Sequence, residues 1–155
     1  MPSSPERVRL REEEREVALA EAQAVFSVAG DPAYRDELAR LIAAVEEGEL
    51  TPVEAGTLEG LVELGLQAGR IRALYGPGGE QAALRLYRRL PRGSEVRETA
   101  AAVSEALSSL RGRRIESIRL DAIGPGAFSL NVSVDGADLS LRLDRQGARL
   151  ASVGT

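Results

Sequence analysis

The sequence predicts an α+β fold: five helices followed by a four-stranded antiparallel β-meander packed on them. Three observations carry this expectation. Apolar residues recur at a helical spacing of about 3.6 as far as residue 111, and the spacing falls to about 2 past Gly112. Four short alternating runs then follow, separated by Gly, Pro and Asp-Gly turn signals.

Residues 5–29 read as one long helix. Its first half, ERVRLREEERE, is nearly all charge, so residues 1–16 are expected to fray or project. Its second half carries Val17, Ala20, Ala24 and Val28 as apolar positions. The rest, residues 17–155, is expected to form a single globular domain, with helices to about 111 and the sheet over 113–153. Asp31 and Pro32 form an N-cap and first-turn pair for a second helix, whose apolar face is Tyr34, Leu38, Leu41, Ile42 and Val45 and whose stop is Gly48.

Thr51, Pro52 and Glu54 spell a capping box, in which a Thr hydroxyl and a Glu carboxylate three residues later satisfy each other's orphan amides. The third helix is expected to run from there to Tyr75 as the central helix. Glu59, Glu63, Gln67 and Arg70 form one narrow solvent stripe on it, and the rest of its circumference is apolar. Gly56 with Gly60, and Gly65 with Gly69, would let a neighbouring helix approach closely.

The stretch GPGGE at 76–80 reads as a corner: Gly76 caps the third helix, Pro77 forbids continuation, and a fourth helix begins at Glu80. It is not a phosphate-binding loop. Such a loop needs Lys followed by Ser or Thr at the helix start, and a carboxylate there repels phosphate. The fourth helix is two-sided, with Ala83, Leu86, Tyr87 and Leu90 on one face and Arg85, Arg88, Arg89 and Arg92 on the other. A fifth helix starts at Ser94 and turns Val96, Ala100, Val103, Leu107 and Leu110 inward.

The strands are RIESIRLDAI, AFSLNVSV, ADLSLRLD and ARLASV. In the second, Phe128, Leu130, Val132 and Val134 alternate with Ser129, Asn131 and Ser133, so one face of the sheet is apolar and the other wet. The helices are expected to cover the apolar face.

Composition restricts chemistry. The chain has no Cys and no His, and all 20 basic residues are Arg. No imidazole base, thiolate nucleophile or Schiff-base amine is therefore available, nor any thiolate metal site. A helical-bundle carboxylate metal site built on Glu59 and Glu63 would want Glu-x-x-His motifs, so the pair is expected to be structural. The chain is expected to be non-enzymatic, without cofactor or metal. The Arg, Ala, Gly and Leu bias fits a GC-rich bacterial genome. The absence of Cys, of an apolar leader core and of any long apolar run fits a cytoplasmic protein without membrane contact.

Charge is segregated. Residues 1–69 carry a net −9, residues 70–119 a net +6, and residues 120–155 a net −1. A basic middle beside an acidic start can pair within one molecule, pair between copies, or hold an anionic partner. The expected function is a protein-interaction module, an adaptor, regulator or assembly component that self-associates as a homodimer. The alternative is an Arg-mediated binder of nucleic acid or another anion through Arg85, Arg88, Arg89, Arg92, Arg113 and Arg114. With two Phe, three Tyr and no Trp to stack on bases, and a net charge of −4, nucleic acid is the less favoured partner. A carboxylate-based hydrolase is a weaker third reading.

Overall fold

The computed structural model describes residues 6–154. Among them the element order is β1 (Val8–Arg9), α1 (Glu12–Val28), α2 (Pro32–Glu47), β2 (Glu49–Leu50), α3 (Pro52–Gln67), α4 (Arg70–Arg89), α5 (Pro91–Ser108), β3 (Ile115–Gly124), β4 (Ala127–Val134), β5 (Ala137–Asp144) and β6 (Gly147–Gly154). Five helices precede a four-stranded antiparallel meander, an α+β fold. The chain divides into two compact units, one through Ser94 and one from Glu95 onward. Each has its own cluster of buried apolar side chains.

In the helical unit α1 packs on α2, α3 and α4. Leu38, Leu41 and Val45 of α2, Leu58 and Val62 of α3, and Leu86 of α4 meet at its centre. The start of α1 differs from expectation. The helix begins at Glu12, and the residues before it form β1, which pairs antiparallel with β2 through Val8↔Leu50 and Arg9↔Glu49. The part of the expected helix at residue 5, and residues 1–5 of the charged segment, lie outside the described residues. The acidic turn does not project as a whole: Glu14 is buried, and Arg89 of α4 donates to it. The core-facing stripe of α1 is Glu14, Val17, Ala18, Glu21 and Ala22, whereas Ala24 and Val28 face water. The stripe is rotated from the apolar pattern because two arginines of α4 neutralise the two acids within it.

The capping box at Thr51 forms: Thr51 N–H donates to Glu54 Oε2 at 2.8 Å and Glu54 N–H to Thr51 Oγ1 at 3.4 Å. The third helix stops earlier than the pattern predicts. Gly69 takes a left-handed backbone (φ 69°), which a residue with a Cβ adopts only at a cost, and α4 starts at once from Arg70. The predicted corner is a break inside α4. Gly76 is non-helical, and the helix resumes at Pro77 rather than Glu80. Two-sidedness of α4 is as expected, with Ala83 and Leu86 buried. Helix α5 starts at Pro91, three residues before the expected Ser94.

The polar stripe of α3 does not face solvent throughout. Glu59 is buried, and its Oε2 accepts the Arg92 N–H at 2.7 Å. The carboxylate occupies the exposed-amide end of α5, where helix dipole and orphan N–H groups favour an anion. Glu63 accepts from the Arg92 guanidinium at 2.9 Å.

The sheet unit is a meander in the order β3-β4-β5-β6. Val132 stands between Ile118 and Leu139, and Leu130 between Leu120 and Leu141. Asp135 and Gly136 both take positive φ at the β4–β5 turn, the primed geometry that matches strand twist. Register breaks lie between Ile115 and Ser117 and between Ala122 and Gly124 on β3.

Candidate interaction surface

The sheet unit has one helix for four strands. Strands lie about 4.8 Å apart and a helix with its side chains is about 10–12 Å wide, so one helix shields roughly two strands. That is what α5 does. Its Val103, with Ala106 and Leu110, packs against Leu130, Val132 and Val134 of β4 and against Leu139 and Leu141 of β5. The expectation that helices cover the whole apolar face is therefore corrected within this unit.

Both edge strands leave apolar side chains of this face uncovered: Leu150 and Val153 on β6, across from Leu141 and Leu139, are 41% and 69% exposed, and more such residues stand on β3. Ile115, Ile118 and Leu120 are paired across from Val134, Val132 and Leu130, which places them on the helix-bearing face, yet they are 55%, 60% and 57% exposed. Phe128 on β4 and Leu107 on α5 are also partly open to solvent. Ile115, Ile118, Leu120 and Phe128 leave on the order of 400 Å² of apolar surface, within the range of the largest patch on a typical monomer and often functional at that size. Sequence reasoning placed Phe128 on the covered apolar face and Leu107 inward, and gave Ile115, Ile118 and Leu120 no face of their own. The signal that finds them is the ratio of strands to helices past residue 94.

The other face of the sheet is a polar ladder. Arg119 Nε donates to Asp121 Oδ2 at 3.1 Å, and Asn131 Nδ2 to the same oxygen at 3.3 Å. Ser140 Oγ donates to Asn131 Oδ1 at 2.8 Å and Ser133 Oγ to Asp138 Oδ1 at 2.6 Å. At the β5–β6 turn the Gln146 amide, with Arg149 and Arg142, holds the Asp144 carboxyl below its ordinary range.

The six arginines singled out for anion binding do not form one surface. Arg85 pairs with Glu13 at 2.6 Å, Arg89 with Glu14 and the Arg9 carbonyl, and Arg92 with Glu59 and Glu63. Arg88 is exposed without an ion pair among the described residues. Arg113 and Arg114 belong to the sheet unit, in the exposed approach to β3, where the Arg114 amide donates to Asp135 Oδ2 at 3.3 Å. Half of the candidate cations thus answer acids of their own unit, the first of the three pairings the charge segregation allows.

In the helical unit a cleft of about 390 Å³ lies between α1 and the glycine break of α4, lined by Glu13, Glu16, Tyr75, Gly79 and Arg85 among others. Behind it Glu21, fully buried, accepts from Arg70 and from the Tyr75 hydroxyl at 3.1 Å. Burial and the Glu21 charge push the Tyr75 phenol above its ordinary value. Among the described residues no group of three or more His, Cys, Asp or Glu is placed to hold a metal ion, and no helix is long and apolar enough to cross a membrane. The chain matches no protein-family model, no curated protein and no solved structure.

Proposed function

We propose that the chain is a non-enzymatic protein-interaction module, an adaptor, regulator or assembly component, and that it docks its protein partner on the β3 strip of the sheet unit. The observation that carries this reading is the exposure of Ile115, Ile118 and Leu120 on the apolar face of an edge strand. Such a strand offers a partner a row of backbone donors and acceptors together with apolar side chains at alternate positions, the recognition mode of β-strand addition. The composition agrees with a binding role, since a chain without His, Lys or Cys lacks the side chains that most often do general-base and covalent work.

The test is photocrosslinking in the native cell, with a photoreactive amino acid in place of Leu120 and, as control, in place of Arg142 on the polar face. Protein adducts specific to position 120 are expected. No adducts there, or the same adducts from both positions, would overturn the reading.

A further inference from the structure

We infer that the occupant of the β3 strip is a second copy of this chain, joined antiparallel through β3 with Leu120 on the twofold axis. The inference rests on the interaction reading above and adds the partner and the register.

An antiparallel pair of identical strands keeps apolar residues opposite apolar ones only when the two residue numbers of each pair add to an even total, because side chains alternate between faces. The register breaks on β3 confine regular pairing to Ser117 through Ala122. Few pairings remain in that stretch, and charge separates them. Centring the axis on Arg119 sets two guanidinium groups opposite each other, and centring it on Asp121 does the same with two carboxylates. Both arrangements are destabilising. Centring on Ile118 places Ser117 opposite Arg119 and gains no charge pairing.

Centring on Leu120 sets Arg119 opposite the partner's Asp121, and Asp121 opposite the partner's Arg119. Each charge already faces its opposite within one strand at 3.1 Å, so the pairing builds an alternating four-charge ladder on the polar face. On the other face Leu120 meets the partner's Leu120 and Ile118 meets the partner's Ala122, where the exposed apolar strip lies. The same register therefore satisfies both faces. The breaks at either end of β3 disrupt pairing beyond this stretch. The regularly paired stretch, Ile118 through Ala122 in this register, is small against the ~800 Å² per partner of a standard interface, so a weak dimer is expected, with a dissociation constant on the order of micromolar.

The full chain has no Cys, so L120C gives each copy a single thiol. Across the axis the two Cα atoms would stand about 4.5–5.5 Å apart, within disulfide range. With oxidised glutathione as the oxidant, L120C is expected to form a linked dimer at least about tenfold faster than V153C on the opposite edge strand, because pairing raises the effective thiol concentration.

Sedimentation of the unmodified chain should show dimer near 100 µM, on the order of a micromolar-range constant. Either R119D or D121R alone should weaken it about tenfold, since each sets like charges opposite one another twice. The double variant R119D/D121R should recover the dimer, which a purely structural role for the pair would not produce. A monomer at about 200 µM, equal linking by L120C and V153C, or a double variant as weak as the single ones would overturn the inference. If photoadducts at position 120 contain only other proteins, the second copy is excluded and the interaction reading stands.

Discussion

Glu21 and Arg70 form an asymmetric pair: the Glu21 side chain is fully buried, while that of Arg70 is 41% exposed. Deleting the two partners should therefore have unequal costs. Arg70→Met keeps the aliphatic stem but strands a buried carboxylate whose remaining donor is the Tyr75 hydroxyl. Removing one partner of a buried pair costs about 3–5 kcal/mol, and the surviving Tyr75 bond puts this case near ~3 kcal/mol.

Glu21→Gln leaves an acceptor for Tyr75 and releases an arginine that water already reaches, so its cost should be about 1–2 kcal/mol after allowing for solvent screening. The double change Arg70→Met with Glu21→Leu should recover most of the loss, because no charge is left buried. The assay is urea unfolding at neutral pH followed by tyrosine fluorescence. Tyr34, Tyr75 and Tyr87 are the only Tyr residues, there is no Trp, and all three lie in the helical unit, so the signal reports that unit alone. A Glu21→Gln cost equal to or above that of Arg70→Met would refute the reasoning, as would both costs under about 0.5 kcal/mol.

Gly93→Ala should destabilise the helical unit by about 3 kcal/mol, because a Cβ there would stand 1.7 Å from the Tyr87 carbonyl oxygen and the backbone must shift. The same fluorescence titration checks it, and a neutral variant would contradict the contact. Burial pushes the Glu59 carboxyl above its ordinary value of 4.5, against the opposing pull of the Arg92 and Gly93 amides. The folded state thus binds that proton more tightly than the unfolded one. Its contribution is fully present below pH 4.5 and is lost as pH rises through the folded value. Wild type minus Glu59→Gln stability, measured in urea across mildly acidic pH, should therefore fall as pH rises, and a rise would reverse the assignment. Replacing Arg88, Arg113 and Arg114 together with Ala should leave retention on immobilised DNA unchanged at about 0.15 M salt. Retention that is steeply salt-dependent and lost in that variant would favour the anion-binding reading.

The sheet was legible because its signals are local. Alternation along β4 and β5, and Asp135-Gly136 between them, set strand limits and turn together. The capping box at Thr51 is equally local, and it formed. What the pattern misplaced depends on partners distant in sequence. Glu14 sits in the charged segment expected to fray or project, and Glu21 is no part of the apolar pattern, until Arg89 and Arg70, 75 and 49 positions later, are seen to meet them. Glu59 looked like a surface position because nothing on α3 itself reveals that the first amides of α5 arrive there. The candidate surface had the opposite fault. Ile118 and Leu120 have the pattern of buried residues, and only counting how many strands one helix can shield leaves them open.

Those long reaches also order events when the chain is made from its N-terminus. Helix α1 emerges early with two acids in its core stripe, and neither has its arginine until Arg70 and Arg89 have followed. Burying α1 before then would strand carboxylates without counter-ions, so the helical unit should stay unsettled until most of α4 is synthesised. The meander needs no such delay. Each of its strands pairs with the next one made, across short turns, and loop closure costs little at that length. Stalling synthesis between Glu21 and Arg70 should therefore yield a protease-sensitive chain, whereas the sheet unit can zip up as quickly as its strands appear.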